Sequence, residues 1–298
     1  MQDSSRLLRD KIAGRIMLAL TVLSILLAIS IGVGLYIRAQ PLLTTHSVWE
    51  LLSSSEWKPL QGKFGFFPYI MGTLWVTAIA IILALPLCLL SGIYIYEYAH
   101  HHVRKLIVPF IDLLSGIPPV VFGVWGALFI VPLIADHIAP HFVDFSMGYS
   151  VLAGGIVLAI MIFPLIISIL LEVFSTVPKE LKEASLSLGA TQWQTIKYVL
   201  LKKSLPGIIA ATVLAISRAF GETIAVLMVC GNMPEVPHSI FDAGYPLPAL
   251  IANNYGEMMS VPLYDSALLF SALILFLIIV LFNGVSRYVL ARIENKYA

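Results

Sequence analysis

Two opposite charges interrupt a long apolar stretch in the second half of the chain. Arg218 and Glu222 stand four residues apart in SRAFGETIAVL, residues 217–227. On a helix, this spacing places both side chains on one face, close enough for an ion pair. A guanidinium is a planar donor suited to oxyanions, and a nearby carboxylate would keep an anion from binding too tightly to leave. The sequence therefore predicts either a site on an anion pathway or a buried pair that fixes helix register, although such pairs add little net stability.

The composition around this pair is that of an integral membrane protein. Of the 298 residues, 59% are hydrophobic and 12% are charged, against roughly 25% charged residues in soluble domains. Several apolar runs exceed the roughly 20 residues that a helix needs to cross a bilayer, and the alternation of a β-barrel is absent. We predict six transmembrane helices over residues 16–37, 70–94, 106–134, 149–172, 204–230 and 265–286. Because a charge at the centre of such a helix costs at least about 2.5–3.5 kcal/mol, the charged pair is expected to face protein or water.

Lysine and arginine are distributed unevenly between the two sides of the membrane. Fourteen of the 18 lie in the N-terminal tail, the 95–105 loop, the 173–203 segment and the C-terminal tail. The opposite side carries only Arg38, Lys58 and Lys63. Because cytoplasmic loops are enriched in Lys and Arg, we expect both termini to be cytoplasmic.

The predicted helices divide the chain into three parts. Residues 1–69 comprise a cytoplasmic tail, the first helix and an outer loop. Residues 70–286 form a five-helix core that includes the cytoplasmic segment 173–203. Residues 287–298 form a cytoplasmic tail. The outer loop is rich in aromatic residues. Such a composition favours anchoring at the membrane interface over contact with a substrate.

Two adjacent prolines interrupt the third predicted helix. Pro118 and Pro119, in IDLLSGIPPVVFGVWG, remove two backbone donors, and we predict a helix break near residue 117. Broken helices at membrane depth are tolerated where they are buried in protein or line a wet cavity, so this helix is expected to border a pathway. Asp112, shortly before the break, is either a partner for basic residues at the inner mouth or a helix residue stabilised by water.

The cytoplasmic segment 173–203 has a defined local pattern. Pro178 suits the start of a short amphipathic helix, with Ser175 and Thr176 as possible caps, and a second helix is predicted from about residue 191, after Gly189. Two short helices that meet at a glycine form a protruding knob, as expected of a surface that fits into another protein.

Motifs of catalysis are absent from the sequence. It contains no phosphate-binding loop, zinc-ligand spacing, nucleophile elbow or paired carboxylates. We therefore expect a non-catalytic chain that binds no metal or cofactor itself. Uphill transport would then need an ion gradient or a separate ATPase.

The cytoplasmic segment also resembles a known family. Residues 183–208, EASLSLGATQWQTIKYVLLKKSLPGI, are similar to the signature of ABC importer permeases, and Glu183, Ala184 and Gly189 match it. Further stretches resemble the phosphate-specific importer permeases, in their C-type rather than A-type subunit: FGFFPYIMGTL, IDLLSGIPPVVFGVWG, SRAFGETIAVLMVCGN and ALIANNYGE. Ser185 departs from the usual second alanine. Lys202 stands where a proline is common, which predicts that the second cytoplasmic helix runs on towards Pro206.

The resemblance implies a fold, partners and residue roles. The fold would be the six-helix type I importer permease fold (MetI-like), with the knob around Gly189 as the coupling helix that docks on a cytoplasmic ATPase. Arg218 and Glu222 match a charged pair associated with transport, and Asp112 matches an acidic position before the broken helix. The partners would be a second, A-type permease, an ATPase dimer that uses ATP and Mg²⁺, and an external phosphate-binding protein, all at a bacterial plasma membrane.

Three alternatives stay open on the sequence alone. The first is a permease for another oxyanion, such as molybdate, sulfate or phosphonate. The second is a gradient-driven secondary transporter, which is disfavoured by the knob, by the lack of an obvious inverted repeat and by the scarcity of acidic residues within the predicted helices. The third is a signalling role alongside transport.

Overall fold

Six long apolar helices dominate the fold. The computed structural model describes the backbone of residues 2–257 and 260–297, and the side chains of residues 11–257 and 260–292. Within these residues, the helices long and apolar enough to cross a membrane are Lys11–Thr45, Phe67–Tyr98, Pro119–His141, Val151–Ser175, Gln192–Phe220 and Tyr264–Arg292. We refer to them as the first to the sixth span. The predicted all-α class and the number of spans are confirmed, whereas the third and fifth spans are displaced along the chain and the first and sixth are longer than predicted.

The spans are assembled from shorter regular elements. In chain order the α-helices are α1 (Gln2–Thr45), α2 (Val48–Ser53), α3 (Phe67–Ile93), α4 (His101–Ser115), α5 (Pro119–Trp125), α6 (Val131–Leu133), α7 (Val151–Ser175), α8 (Lys179–Ser187), α9 (Gln192–Thr195), α10 (Leu201–Phe220), α11 (Ile224–Leu227), α12 (Leu247–Asn254) and α13 (Tyr264–Tyr297). Five-residue π-helical turns extend or join them at Tyr94–Tyr98, Gly126–Ile130, Ile134–Ile138 and Ile196–Leu200. Two short strands, β1 (Trp57–Lys58) and β2 (Lys63–Phe64), form an antiparallel hairpin in the outer loop.

An inner core is formed by the second to fifth spans around α7. Leu158, Ile162 and Ile166 of α7 are almost inaccessible to solvent. Helix α3 approaches α7 closely because α7 carries Gly155 at the contact, where any side chain would overlap Ile79. Small residues at such contacts let two backbones pack tightly without a directional bond.

A second core lies at the outer end, between the outer loop and the sixth span. The ring of Trp57 lies 5.5 Å from that of Phe66 and 5.2 Å from that of Tyr69, in edge-to-face arrangements. Phe66 and Tyr69 are fully buried, whereas Trp49 is 79% exposed. The interpretation of these aromatic residues as an interfacial belt is therefore wrong for the hairpin side of the loop, because the hairpin turns their rings inward.

The third span is shorter than predicted and begins later. Residues 101–115 form the separate helix α4, and a new helix begins at Pro119. Pro118 is extended, with φ −60° and ψ 141°, and Pro119 occupies the first helical position, where a missing amide is harmless. The predicted helix over residues 106–134 therefore joined two separate helices.

The fifth span is also shifted along the chain. It runs from Gln192 through Pro206 without interruption and ends at Phe220, and helix α11 begins only at Ile224. The predicted continuation of the second cytoplasmic helix past Lys202 thus agrees with the structure, whereas the predicted single helix over residues 204–230 is wrong. At the end of α10 the amide of Gly221 donates to the carbonyl of Arg218 at 3.2 Å, a tightened last turn after which the helix stops.

The first and sixth spans pack against each other at one side of the fold. Their contact includes Gly32, where an added side chain would lie 2.9 Å from the ring of Phe276. Helix α13 continues past residue 287, the expected start of a C-terminal tail, without a break. The outer segment between the fifth and sixth spans contains α12, which is buried in the outer core at Leu247 and Leu250.

Candidate functional site

Arg218 lies in the last turn of α10, and its side chain is exposed in the isolated chain. Ser217, its neighbour, donates to the side-chain oxygen of Asn283 on α13 at 3.0 Å. Asn283 is 19 residues after Tyr264 and nine before Arg292, or about 28 Å and 14 Å along the helix at 1.5 Å per residue. Arg218 is therefore within the membrane-spanning part of the fold.

The expected pairing of Arg218 with Glu222 is not found. Because α10 ends at Phe220, Glu222 lies beyond the helix and the spacing of four residues no longer places the two side chains on one face. Arg218 forms no ion pair with Glu222 or with any other side chain that the structure describes. Glu222 is half-buried in the three-residue break between α10 and α11. The interpretation as a self-neutralising pair on one helix is therefore wrong for this structure.

The breaks in the third and fifth spans lie on neighbouring helices. Helix α5 follows Pro118, helix α11 follows the break at residues 221–223, and the two helices pack together where Gly123 meets Ala225. A side chain at Gly123 would lie 3.1 Å from the Cα of Ala225 and 2.7 Å from the sulfur of Met228. Helix breaks at membrane depth are tolerated where a wet cavity or another protein surface satisfies the peptide groups that they free.

Asp112 lies on α4, before the first of these breaks. Its side chain is exposed and forms no ion pair with the described residues. It follows the buried Ile111 on an otherwise exposed stretch of the helix. The structure thus places Asp112 on the approach to the broken region without joining it to Arg218.

Segment 173–203 forms the two helices that the sequence predicts, with different caps. Helix α8 carries Glu183 and Ala184, both exposed. Gly189 has φ +86° with open space around its Cα, so it forms the left-handed corner of the knob. Ser175 and Thr176 do not cap α8; their hydroxyls donate back to Glu172 and Val173 at the end of α7.

The second helix of segment 173–203 has a cap that was not predicted. Thr191 accepts from the amide of Gln194 at 3.2 Å, and the side chain of Gln194 accepts from the amide of Thr191 at 2.8 Å. This reciprocal pair is a capping box, recognisable in the sequence as Thr-x-x-Gln. It fixes where the fifth span begins, directly after the knob.

Known proteins are similar to this chain over most of its length. A model of the family described as "Binding-protein-dependent transport system inner membrane component" matches residues 88–295, which include both helix breaks and the knob. The chain is 37% identical to the "Probable ABC transporter permease protein YqgH" of Bacillus subtilis over 95% of its length and 92% of that protein. It is 35% identical to the "Phosphate transport system permease protein PstC" of Xylella fastidiosa, over 82% of its length and 79% of that protein. The chain belongs to this permease family, in its PstC group.

Solved structures agree on the fold of this permease. The methionine ABC transporter MetNI, in an inward-facing conformation, superposes with a TM-score of 0.55 at 17% identity, covering 74% of the permease and 93% of the matched chain. A bacterial alginate ABC transporter superposes with a TM-score of 0.55 at 16% identity, covering 78% of the permease and 81% of the matched chain. The expected MetI-like permease fold is thus confirmed.

Sequence reasoning missed a polar cluster where segment 173–203 meets the end of the second span. Lys182 of α8 forms an ion pair with Glu97 in the π-helical turn that ends the second span, and both side chains are 15% exposed. The ammonium of Lys182 also lies 4.3 Å from the ring centre of Tyr96. Because Lys182 and Glu97 are 85 residues apart, no local pattern could have indicated the pair.

Residues before the fourth span and after the fifth span enclose a cavity of about 740 Å³. Its lining includes Met147, Met228, Glu235, His238 and Asp242. Among the described residues, no group of three or more His, Cys, Asp or Glu side chains is arranged to hold a metal ion. The cavity borders the contact between α5 and α11, because Met228 lines the cavity and also lies beside Gly123.

Proposed function

We propose that the permease forms part of the path by which inorganic phosphate crosses the membrane in an ATP-driven importer. The observation that carries the proposal is the 35% identity, over most of both chains, to a protein named as a PstC phosphate transport permease. A second such relative, named a probable phosphate transport permease, is 32% identical over 92% of this chain and comes from Methanocaldococcus jannaschii. These relatives favour phosphate over the other oxyanions.

Arg218 is the group proposed to meet the anion. An exposed guanidinium at membrane depth is costly against lipid, so it is expected to face water or the second permease. Its planar donors suit the oxygens of phosphate, which an ammonium would bind only as a point charge. Glu222, in the neighbouring break, would limit how tightly the anion is held, and Asp112 would act nearer the inner mouth.

The knob around Gly189 is proposed to receive the motion of the ATPase. The fifth span runs as one helix from Gln192, next to the knob, to Phe220, next to Arg218. Its 29 residues correspond to about 43 Å at 1.5 Å per residue. Movement of the knob would therefore act on the proposed phosphate site through one continuous helix, and Glu183 and Ala184 would lie at the docked face.

The partners complete the transporter. A second permease of the A type would supply the other half of the path, an ATPase dimer would hold ATP and Mg²⁺, and an external binding protein would deliver phosphate. The permease itself would be non-catalytic and would carry no cofactor. Both termini would be cytoplasmic in a bacterial plasma membrane, because the side with the knob carries most of the Lys and Arg.

Reconstitution tests this proposal. The permease is placed in vesicles with the second permease, the ATPase and the binding protein, and uptake of radiolabelled phosphate is measured against uptake of molybdate and sulfate. We expect uptake of phosphate that requires ATP and every partner. Uptake without ATP by the permease alone would show a gradient-driven carrier or a channel, and preferential uptake of another oxyanion would show that the substrate is wrong.

A further inference from the structure

The coupling segment, residues 173–203, is joined to the second span by a charged contact. Lys182, in the middle of α8, forms its ion pair with Glu97, which lies in the π-helical turn Tyr94–Tyr98. None of the nine residues of α8, all of which the structure describes, is buried. The helix is therefore held by individual polar contacts rather than by an apolar face, and this ion pair is one of the least exposed of them.

The aromatic ring beside the pair brings in a third element. Tyr96 has the ammonium of Lys182 4.3 Å from its ring centre, and the guanidinium carbon of Arg104, on α4, lies 5.3 Å from the same centre. Tyr96 also packs against Phe174 at the end of α7, with ring centres 5.9 Å apart. Cations stacked on a ring in this way are attracted by its quadrupole, and more strongly where water is excluded.

Two further hydrogen bonds keep this junction in place. The side-chain Nε2 of Gln192, at the start of the fifth span, donates to the backbone carbonyl of Glu97 at 3.2 Å. The hydroxyls of Ser185 and Thr195 are 2.9 Å apart, which ties α8 to the same helix. The inner end of the second span thus contacts both halves of the knob.

Glu97 is held at the end of the second span both by its ion pair with Lys182 and by its backbone contact with Gln192. Separating the two charges of a shielded ion pair is costly, because each charge is then left uncompensated. The intact pair therefore holds α8 close to the turn Tyr94–Tyr98. A contact of this kind transmits displacement, whereas a flexible surface contact would absorb it.

We propose that the Lys182–Glu97 pair, seated on the ring of Tyr96, is a strut that transmits movement of the coupling segment to the inner end of the second span. Lys182 and Glu97 are positioning residues and touch neither phosphate nor ATP. The proposal rests on the function proposed above. It adds that the coupling segment drives a second span besides the fifth.

The test compares phosphate transported with ATP hydrolysed in the reconstituted four-component assembly. The variants are Lys182→Met, Glu97→Gln and the two combined. Lys179→Met serves as a matched control, because Lys179 is exposed on the same helix and forms no ion pair with the described residues. Lys182→Arg is the conservative variant, since it keeps the charge and the ring contact.

We expect each single variant to keep its ATPase activity while phosphate per ATP falls at least about threefold, a modest value for charges in direct contact. The double variant should lose no more than either single one, because both changes break the same contact. Lys182→Arg and Lys179→Met should keep the wild-type ratio.

Several results would overturn the strut while leaving the proposed function intact. They are a wild-type ratio in both single variants, losses that multiply in the double variant, and failure of the single variants to assemble, which would indicate a purely structural contact. A wild-type assembly that takes up no phosphate with ATP would instead refute the proposed function, and the strut with it.

Discussion

Replacement of Arg218 by glutamine is the sharpest test of the proposed phosphate site. The side chain is exposed and has no ion-pair partner among the described residues, so its removal leaves no buried charge behind. Its contribution to stability is then mainly that of a cation in the last turn of a helix, about 0.3–1 kcal/mol. Loss of a charge at membrane depth also favours insertion. The variant should therefore fold and assemble.

The expected effect on transport is larger than the effect on stability. Hydrogen bonds to charged groups contribute about 1.5–3 kcal/mol each. If phosphate loses one such bond at the rate-limiting point, uptake falls by roughly 10- to 150-fold, since about 1.4 kcal/mol corresponds to a factor of ten in rate. Arg218→Lys keeps the charge but not the planar fork, so its uptake should be intermediate.

The assay is initial uptake of radiolabelled phosphate by the reconstituted assembly at saturating ATP. Arg287→Gln is the matched control, because Arg287 is exposed near the inner end of the sixth span and forms no ion pair with the described residues. Assembly is followed by co-purification of the partners. Uptake by Arg218→Gln within about twofold of the wild type would refute a direct role, since even one charged hydrogen bond is worth more than this.

Two further substitutions test the neighbouring features. Glu222→Gln should lower the KM for phosphate and slow turnover, by up to about tenfold, because a like charge that helps the anion to leave is removed. Glu257→Gln, in the segment between the fifth and sixth spans, is the control. An unchanged KM in Glu222→Gln would count against the role of Glu222. Gly189→Ala should reduce ATP-driven uptake about fivefold or more, because a left-handed non-glycine residue costs roughly 1–2 kcal/mol and the corner of the knob would shift. Gly62→Ala introduces the same strain at φ +70° in the outer hairpin, also with open space around it, and should leave uptake unchanged; equal losses in both variants would show a general effect on folding.

The sequence predicted the elements that composition controls. Six apolar runs predicted six spans because a bilayer requires a minimum helix length, and Pro118 with Pro119 predicted a break because both lack an amide donor. The capping box at Thr191 was also readable from its residue types, although it was not identified. Residue types were sufficient for prediction where the conformation of a segment depends mainly on its own residues.

The end of the fifth span shows where local reasoning fails. Gly221, directly after Phe220, is a local stop signal that the prediction did not use, because the apolar run continues to Cys230. The helix ends where Phe220 packs against Phe282 and Ser217 bonds Asn283, contacts made by a helix far away in the sequence. The assumed helical geometry between Arg218 and Glu222 was lost with that stop. The Lys182–Glu97 pair was missed for the same reason, because it is decided by packing between distant segments.

The two cores suggest how movement of the coupling segment would reach Arg218, the proposed phosphate-binding residue. The coupling segment is directly continuous with α7 and with the fifth span, and the strut would join it to the second, so its movement acts on the inner core. The first and sixth spans are held instead by the outer core, through Tyr264 and the aromatic hairpin. Arg218 lies where the fifth span ends against α13, through Ser217 and Asn283. A displacement of the inner core relative to the outer core would therefore change the position of Arg218. A small shift at this junction would move its guanidinium towards or away from an anion without unfolding any helix.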